Sequence, residues 1–209
     1  MINNLSYIVG VFLGDGCYYK RPFRSEIIIV GQDKDILEKV SRCCSKLGMT
    51  KYKVSSYRKN LFRIRITNSE FANTLNALTK GKTIIPDMTT KSHIREFVAG
   101  LMDTDGHIAK SKVTRKNKTW TRYAIGFTNS APWLDNFLNI LNYLGVKTGK
   151  KTLKRKYRNP LTEKDCYLVG LNIQSFIKSN LFFSCKRKQK RLNEYINKRA
   201  KTATRLLND

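Results

Sequence analysis

The sequence predicts an α+β protein of two pseudo-symmetric repeats, each running α-β-β-α-β-β-α, with antiparallel sheets packed across a shared pair of helices. Three observations predict it. The stretch Tyr7-Ile-Val-Gly-Val-Phe-Leu-Gly-Asp-Gly16 returns as Phe97-Val-Ala-Gly-Leu-Met-Asp-Thr-Asp-Gly106, with the two Asp-Gly pairs 90 residues apart. An amphipathic pattern runs from Gln32 to Gly48 and again from Asn129 to Gly145, spanning 16 residues each time. Short β-branched and aromatic runs flank both patterns in the order expected of hairpins. The second spacing is independent of the first, so the two together argue for duplication.

Each copy of the first stretch reads as a short apolar helix. Gly10 and Gly14 lie four apart, as do Gly100 and Thr104, so small residues share one face and let two backbones approach. Gly16 and Gly106 stand where a helix stops on a residue free to take positive φ. Asp15 and Asp105 then project from helix C-termini, which already carry partial negative charge. A carboxylate set against the dipole twice points to a bound cation.

After Gly16 the chain reads as a hairpin broken at Arg21-Pro22, with Glu26 to Val30 as its second strand. Ile27 and Ile29 alternate with Ile28 and Val30, so this strand is either buried on both sides or offers an apolar face to a partner. Asp33 to Leu47 has helical spacing and stops at Gly48. Strands follow at Lys51 to Arg58 and Leu61 to Thr67, then a short helix capped by Ser69. Residues 1–80 make the first repeat. Residues 81–92, with Gly81 and Pro86, read as a linker.

The order then repeats over residues 93–185. A longer hairpin runs from His107 to Val113 and Trp120 to Thr128 around a basic turn at Arg115 to Lys118. Asn129 takes the place of Gln32, and a helix with Pro132 in its first turn ends at Gly145. Strands at Lys151 to Tyr157 and Asp165 to Ile173 and a helix from Ser175 complete the copy. Residues 186–209 form a basic helical tail, read as a phosphate-contacting element, with a solubilising or localisation segment as the alternative.

Lys and Arg number 41 against 15 acids, a net charge of +26, which points to a polyanionic partner. The hydrophobic content of 41% supports genuine cores and excludes a merely disordered basic chain. Five cysteines without a C-x-x-C pair, and only two histidines, leave no sensible zinc site. Free thiols fit a reducing intracellular compartment, cytoplasm or organelle matrix. No run of 18 apolar residues and no leader pattern is present, so no membrane role is expected.

An antiparallel sheet packed on helices leaves one face free, and alternation shows what that face carries. Lys51, Lys53, Ser55 and Tyr57 share one phase, and Arg63 and Arg65 oppose Phe62, Ile64 and Ile66. The second copy has Trp120, Arg122, Lys154, Lys156 and Arg158 on the matching phase. Charges of one sign on strands of both halves read as a nucleic-acid surface. A two-stranded ribbon fits the major groove, where Arg and Lys read guanine edges. A strand of about seven residues reaches roughly 23 Å, or about seven base pairs per half.

The duplicated stretch resembles the nine-residue motif of the LAGLIDADG homing endonucleases, which maps onto Ile8 to Gly16 and Val98 to Gly106. One departure is that the motif's first acid is Leu13 in the first copy and Asp103 in the second; in the family that position is not the essential acid. The resemblance implies a monomer whose sheets form a saddle over double-stranded DNA. It implies Asp15 and Asp105 as catalytic, metal-binding acids, with the carbonyls of Gly14 and Thr104 completing the coordination. Gln32 and Asn129 match polar residues that order water around the acids, with helix capping as their alternative role. A lysine beyond the last strand is also implied, for which Lys186 is the best candidate and Lys34 a weaker one.

Phosphodiester hydrolysis needs an in-line water, neutralised charge and a stabilised leaving oxygen, and bridging metal ions meet all three needs. Oxygen ligands favour Mg²⁺, with two or more divalent ions expected. No serine or cysteine stands beside a base, so a covalent intermediate is not expected. The leading reading is a site-specific, Mg²⁺-dependent DNA endonuclease acting on a long, near-palindromic site. The alternatives are a maturase that binds intron RNA and a non-catalytic DNA-binding regulator.

Overall fold

In the computed structural model residues 2–116, 118–155 and 165–208 are described. The apolar stretches 7–13 of α1 (Ile2–Asp15) and 97–102 of α4 (Lys91–Thr104) are buried on all sides, and the two helices pack against each other at the centre. Small residues set their separation. A Cβ on Gly10 would collide with the carbonyl of Phe97, and one on Gly100 with the carbonyl of Tyr7. These two collisions are equivalent contacts related by exchanging the helices, Gly10 with Gly100 and Tyr7 with Phe97, which is the signature of a local twofold axis.

The first repeat continues as β1 (Gly16–Arg21), β2 (Arg24–Gly31), α2 (Lys34–Lys46), β3 (Val54–Arg58), β4 (Leu61–Ile66) and α3 (Ser69–Leu78). After α4 the second runs β5 (Gly106–Arg115), β6 (Lys118–Asn129), α5 (Leu134–Tyr143), β7 (Thr148–Arg155), β8 (Cys166–Leu171) and α6 (Ile173–Lys178), followed by α7 (Lys186–Asn208). Each repeat holds one antiparallel four-stranded sheet, ordered β1-β2-β4-β3 and β5-β6-β8-β7. The α+β architecture is therefore as expected. Ile27, Ile29, Ile64 and Ile66 in one sheet, and Ile125, Phe127, Val169 and Leu171 in the other, turn inward onto the helices.

Several local expectations are corrected. Gly16 and Gly106 do not take positive φ; that conformation falls to Gly48, at 83°, and Gly145, at 88°. The reason for glycine at 16 and 106 is space, since a Cβ at Gly16 would lie 2.7 Å from Cα of Phe12 and one at Gly106 2.8 Å from Cα of Met102. The cap of α3 is Asn68, whose Oδ1 accepts from the Phe71 N–H at 2.9 Å, and not Ser69, which instead bonds the Ser25 backbone. Pro132 precedes α5 rather than entering it. Lys51 and Lys53 precede β3 rather than lying in it. Lys91 and Ser92 already belong to α4, which Thr90 caps by accepting from the His93 N–H. The two apolar phases of β2 divide by side: Ile27 and Ile29 are in the core, while Ile28 and Val30 stay half-buried on the opposite face.

The two motif helices are not interchangeable. Asp103, 1% exposed, accepts from Tyr7 Oη at 2.8 Å and from the Cys185 N–H at 3.0 Å, so it joins both motif helices to the start of α7. Leu13, its counterpart in the first repeat, is plain core. Helix α7 docks on the helix-facing side of β5 and β6: Lys110 pairs with Glu194 at 2.8 Å, Tyr123 meets Tyr195 edge-on, and Arg191 donates to the Ile108 carbonyl. Its described side chains thus close the underside of the second repeat.

Candidate active site

Asp15 ends α1 and Asp105 caps α4, so the crossing of the motif helices delivers both acids to one place. A Cβ on Gly14 would lie 3.0 Å from Asp105 Oδ2, which puts the second acid against the residue next to the first. Cavities of about 290 and 460 Å³ open beside them, the first lined by Asp15, Gln32, Thr104 and Lys188, the second by Gly14, Lys82, Asp105 and Asn129.

The electrostatics are those of a desolvated pair of like charges. Burial, then the neighbouring Asp15 charge, pushes the Asp105 carboxyl up to about 7, against the pull of Asn129, Lys82 and Lys188. Asp15 is also raised, first by desolvation, but it keeps an exposed face where solvent screens part of the effect. A raised acid stabilises the fold below its unfolded value and loses that contribution as pH rises through its folded value. Without divalent ions the melting temperature should therefore fall between pH 5 and pH 8, and Mg²⁺ should restore it at pH 8. A thermal melt at both pH values with and without the ion checks this.

Asn129 donates from Nδ2 to Asp105 Oδ2 at 2.8 Å while its Oδ1 accepts from the Ala131 N–H, so both ends of the amide are fixed. Its counterpart in the first sheet is not Gln32. Gly16 pairs with Ile29 and Gly106 with Phe127, which places Asn129 level with Gly31. A Cβ on Gly31 would stand 4.0 Å from Asp15 Oδ2, so the first repeat has empty space where the second has an amide. Gln32 is exposed at the cavity wall.

The lysines differ from expectation. Lys186 bonds Asp35 through its backbone N–H and leaves its side chain exposed. Lys188, two residues onward, is 5% exposed and donates from Nζ to the carbonyls of Met102, Asp103, Thr104 and Gly106. Lys34 is taken up on the surface by Glu38 at 3.0 Å. In the first repeat Lys82 plays the corresponding part, donating to the carbonyls of Gly14 at 3.1 Å and Gly16 at 2.9 Å. Each lysine places a cation on the negative end of a motif helix, and desolvation lowers the pKa of both. Lys82 lies in the stretch read as a linker, with left-handed φ of 70°, and Trp133 Nε1 holds its carbonyl at 3.1 Å. Among 41 basic residues, neither lysine carries a local signal that singles it out.

The two carboxylates fit a divalent ion, because they form a desolvated like-charge pair that such an ion would neutralise. The carbonyls of Gly14 and Thr104 are less free than expected, since Lys82 and Lys188 already donate to them. Asp33, Asp35 and Cys185 also come within 4.8 Å of one another. Arg187 binds Asp33 through two nitrogens, and the Lys186 N–H bonds Asp35, so charge there is already compensated.

Ser55, Tyr57, Arg63 and Arg65 lie on the open side of the first sheet, where Arg58 and Arg63 flank the Tyr57 ring. Trp120 and Arg122 lie on the open side of the second, level with Val113 and Ser111. Lys51 and Lys53 line a basic cleft with Lys34 and Arg42 of α2. Lys154 is a β7 residue, while Lys156 and Arg158 lie outside the described residues. No described helix is long and apolar enough to cross a membrane.

Residues 3–78 match the family model of the LAGLIDADG-like domain. An uncharacterized protein of Methanocaldococcus jannaschii, MJ0398, is 22% identical over 206 residues, covering 92% of this chain and 71% of its own. The structure resembles that of I-DmoI in complex with DNA and Ca, with a TM-score of 0.57, 16% identity and coverage of 85% of this chain and 87% of that one. It also resembles I-SmaMI bound to uncleaved DNA target in the presence of calcium ions, with a TM-score of 0.53, 13% identity and coverage of 91% and 87%.

Proposed function

We propose that the chain is a two-repeat LAGLIDADG protein and a site-specific double-strand DNA endonuclease: residues 3–78 match the model of the LAGLIDADG-like domain, and the chain shares the fold of I-DmoI. The observation that carries this reading is the meeting of Asp15 and Asp105 at the ends of two packed helices, between two sheets whose open sides are basic. I-DmoI and I-SmaMI, which share the fold, are themselves seen with DNA and divalent ions.

Asp15 and Asp105 would hold Mg²⁺, which when bound supplies the charge that neutralises the phosphate and lowers the pKa of water. The chain's own residues do the rest. The basic sheets bind the duplex so that the backbone faces the two acids. Asn129 fixes the orientation of Asp105, and Gln32 lies free at the cavity wall to hold a water near Asp15. Lys82 and Lys188 set positive charge at the helix ends beside the charge that develops on phosphate oxygens.

The reading is tested by incubating the full chain and Mg²⁺ with duplex DNA carrying the uninterrupted junction at which its own gene is inserted. A single double-strand break at that junction is expected; intact DNA after prolonged incubation would overturn it. Lys82→Met is expected to slow the cut by about 10- to 100-fold, the usual effect of losing a group that supports a metal ligand. Single-turnover kinetics on bound DNA measures that loss separately from binding.

A further inference from the structure

The open side of the first sheet holds one residue that is out of place by charge. Glu26 is 0% exposed and stands among cations: Arg65 Nη2 lies 2.9 Å from each of its carboxylate oxygens, Arg24 at 3.5 Å and Arg21 at 3.6 Å. It belongs to the phase of Ile28 and Val30, opposite the core residues Ile27 and Ile29, so the carboxylate lies on the DNA-facing side. Burial by itself would raise its pKa, but the Arg65 hydrogen bond and charge, then Arg24 and Arg21, hold it below the ordinary value, so it is an anion at neutral pH.

An isolated anion on a surface meant for phosphates costs binding unless it does something for its neighbours. What it does here is fix Arg65. Nη2 of that guanidinium is held by both Glu26 oxygens and Nε is buried, while the side chain remains 38% exposed, which leaves Nη1 as the nitrogen available to a base. A guanidinium held through Nη2 is pre-organised to donate from Nη1 to the O6 or N7 acceptor of guanine, whereas an untethered arginine loses rotamer entropy on binding. The second repeat lacks this device. Arg65 faces Ile28 where Gly170 faces Gly126, so Glu26 and Arg65 correspond to Ala124 and Gly170.

We propose that Arg65 reads a guanine in the half-site bound by the first repeat, and that Glu26 is the positioning residue that holds Arg65 for this contact. The inference rests on the endonuclease reading only in requiring sequence-specific duplex DNA on these sheets. Glu26 lies three residues from Ile29, which is level with Gly16, so the guanine falls about 10 Å, or about three base pairs, outward from the acids. The mirror position in the other half-site, read from Ala124 and Gly170, carries no guanine preference. The target is therefore asymmetric at this pair.

The test is binding selection by the full chain from a pool of duplexes with randomised positions, followed by sequencing. The wild type is expected to enrich one guanine in one half-site. Arg65→Ala and Arg65→Lys should each flatten the preference at that position alone, by on the order of tenfold to a hundredfold. Glu26→Gln, isosteric and still hydrogen-bonding, should relax the same position while leaving the rest of the selected sequence intact. A merely structural Glu26 would lower the melting temperature or weaken every position together, and that result overturns the positioning role. Unchanged selection by the Arg65 variants overturns the guanine contact while leaving the endonuclease reading in place. Failure of the wild type to select any sequence overturns both.

Discussion

Asp105→Asn, and separately Asp15→Asn, should abolish double-strand cleavage while leaving DNA binding close to wild type. The loss should be at least the hundred- to thousand-fold that removing one preorganised charge-stabilising group costs. Binding should survive because the sheet residues proposed to contact DNA, Arg63, Arg65 and Arg122 among them, stand on the strands and not at the two acids, and because the substitution removes negative charge from a polyanion's path. Asp105→Asn also removes the like-charge partner of Asp15. In the metal-free protein at pH 8 it should therefore raise the melting temperature, and the pH dependence seen between 5 and 8 should flatten. Gel-shift titration, cleavage of the same duplex and a melt read the three effects. A variant at Asp105 that still cuts both strands at a normal rate would remove the acid from the chemistry.

Gly10→Ala should be among the most damaging single-methyl changes available to the chain. The new Cβ would collide with the Phe97 carbonyl and lie 2.9 Å from the Leu101 nitrogen. Both are backbone atoms, so no rotamer change relieves the contact and the helices must separate. Overpacking costs about 1–3 kcal/mol where side chains can give way, and more where they cannot. At about 2–4 °C per kcal/mol for a chain of this size, a fall of roughly 10 °C is expected. Cleavage should fall further than stability, since the shift moves the two acids apart. Gly170→Ala provides the control: no atom lies within 4 Å of the added Cβ, and its melting temperature should stay within a degree or two.

Much of the site is legible in the amino-acid order alone. Asp15 and Asp105 stand out because each ends an apolar helix against its dipole, and a duplication repeats that oddity. The facing of Arg63 and Arg65 follows from period-two alternation with Ile64 and Ile66. The lysines are not legible in the same way. Lys186 and Lys188 lie two apart in one basic run, and which of them is buried depends on the direction in which α7 leaves Cys185. Lys82 has no signal because a linker composition says nothing about where its side chains return. The matching of Asn129 to Gln32 misses by one residue, since equal loop lengths do not guarantee equal strand register. Glu26 reads as an ordinary hairpin acid along the chain; the fold is what gathers three arginines around it.

By itself, then, the amino-acid order determined the repeat, the element sequence and the two acids, because these depend on periodicity and on residues near one another along the chain. Only the tertiary structure decided which cations meet the helix ends, which amide holds Asp105 and which carboxylate orients Arg65. Those partners lie tens of residues apart. Their pairing depends on helix separation and strand register, which are set by packing of the whole core rather than by any local pattern.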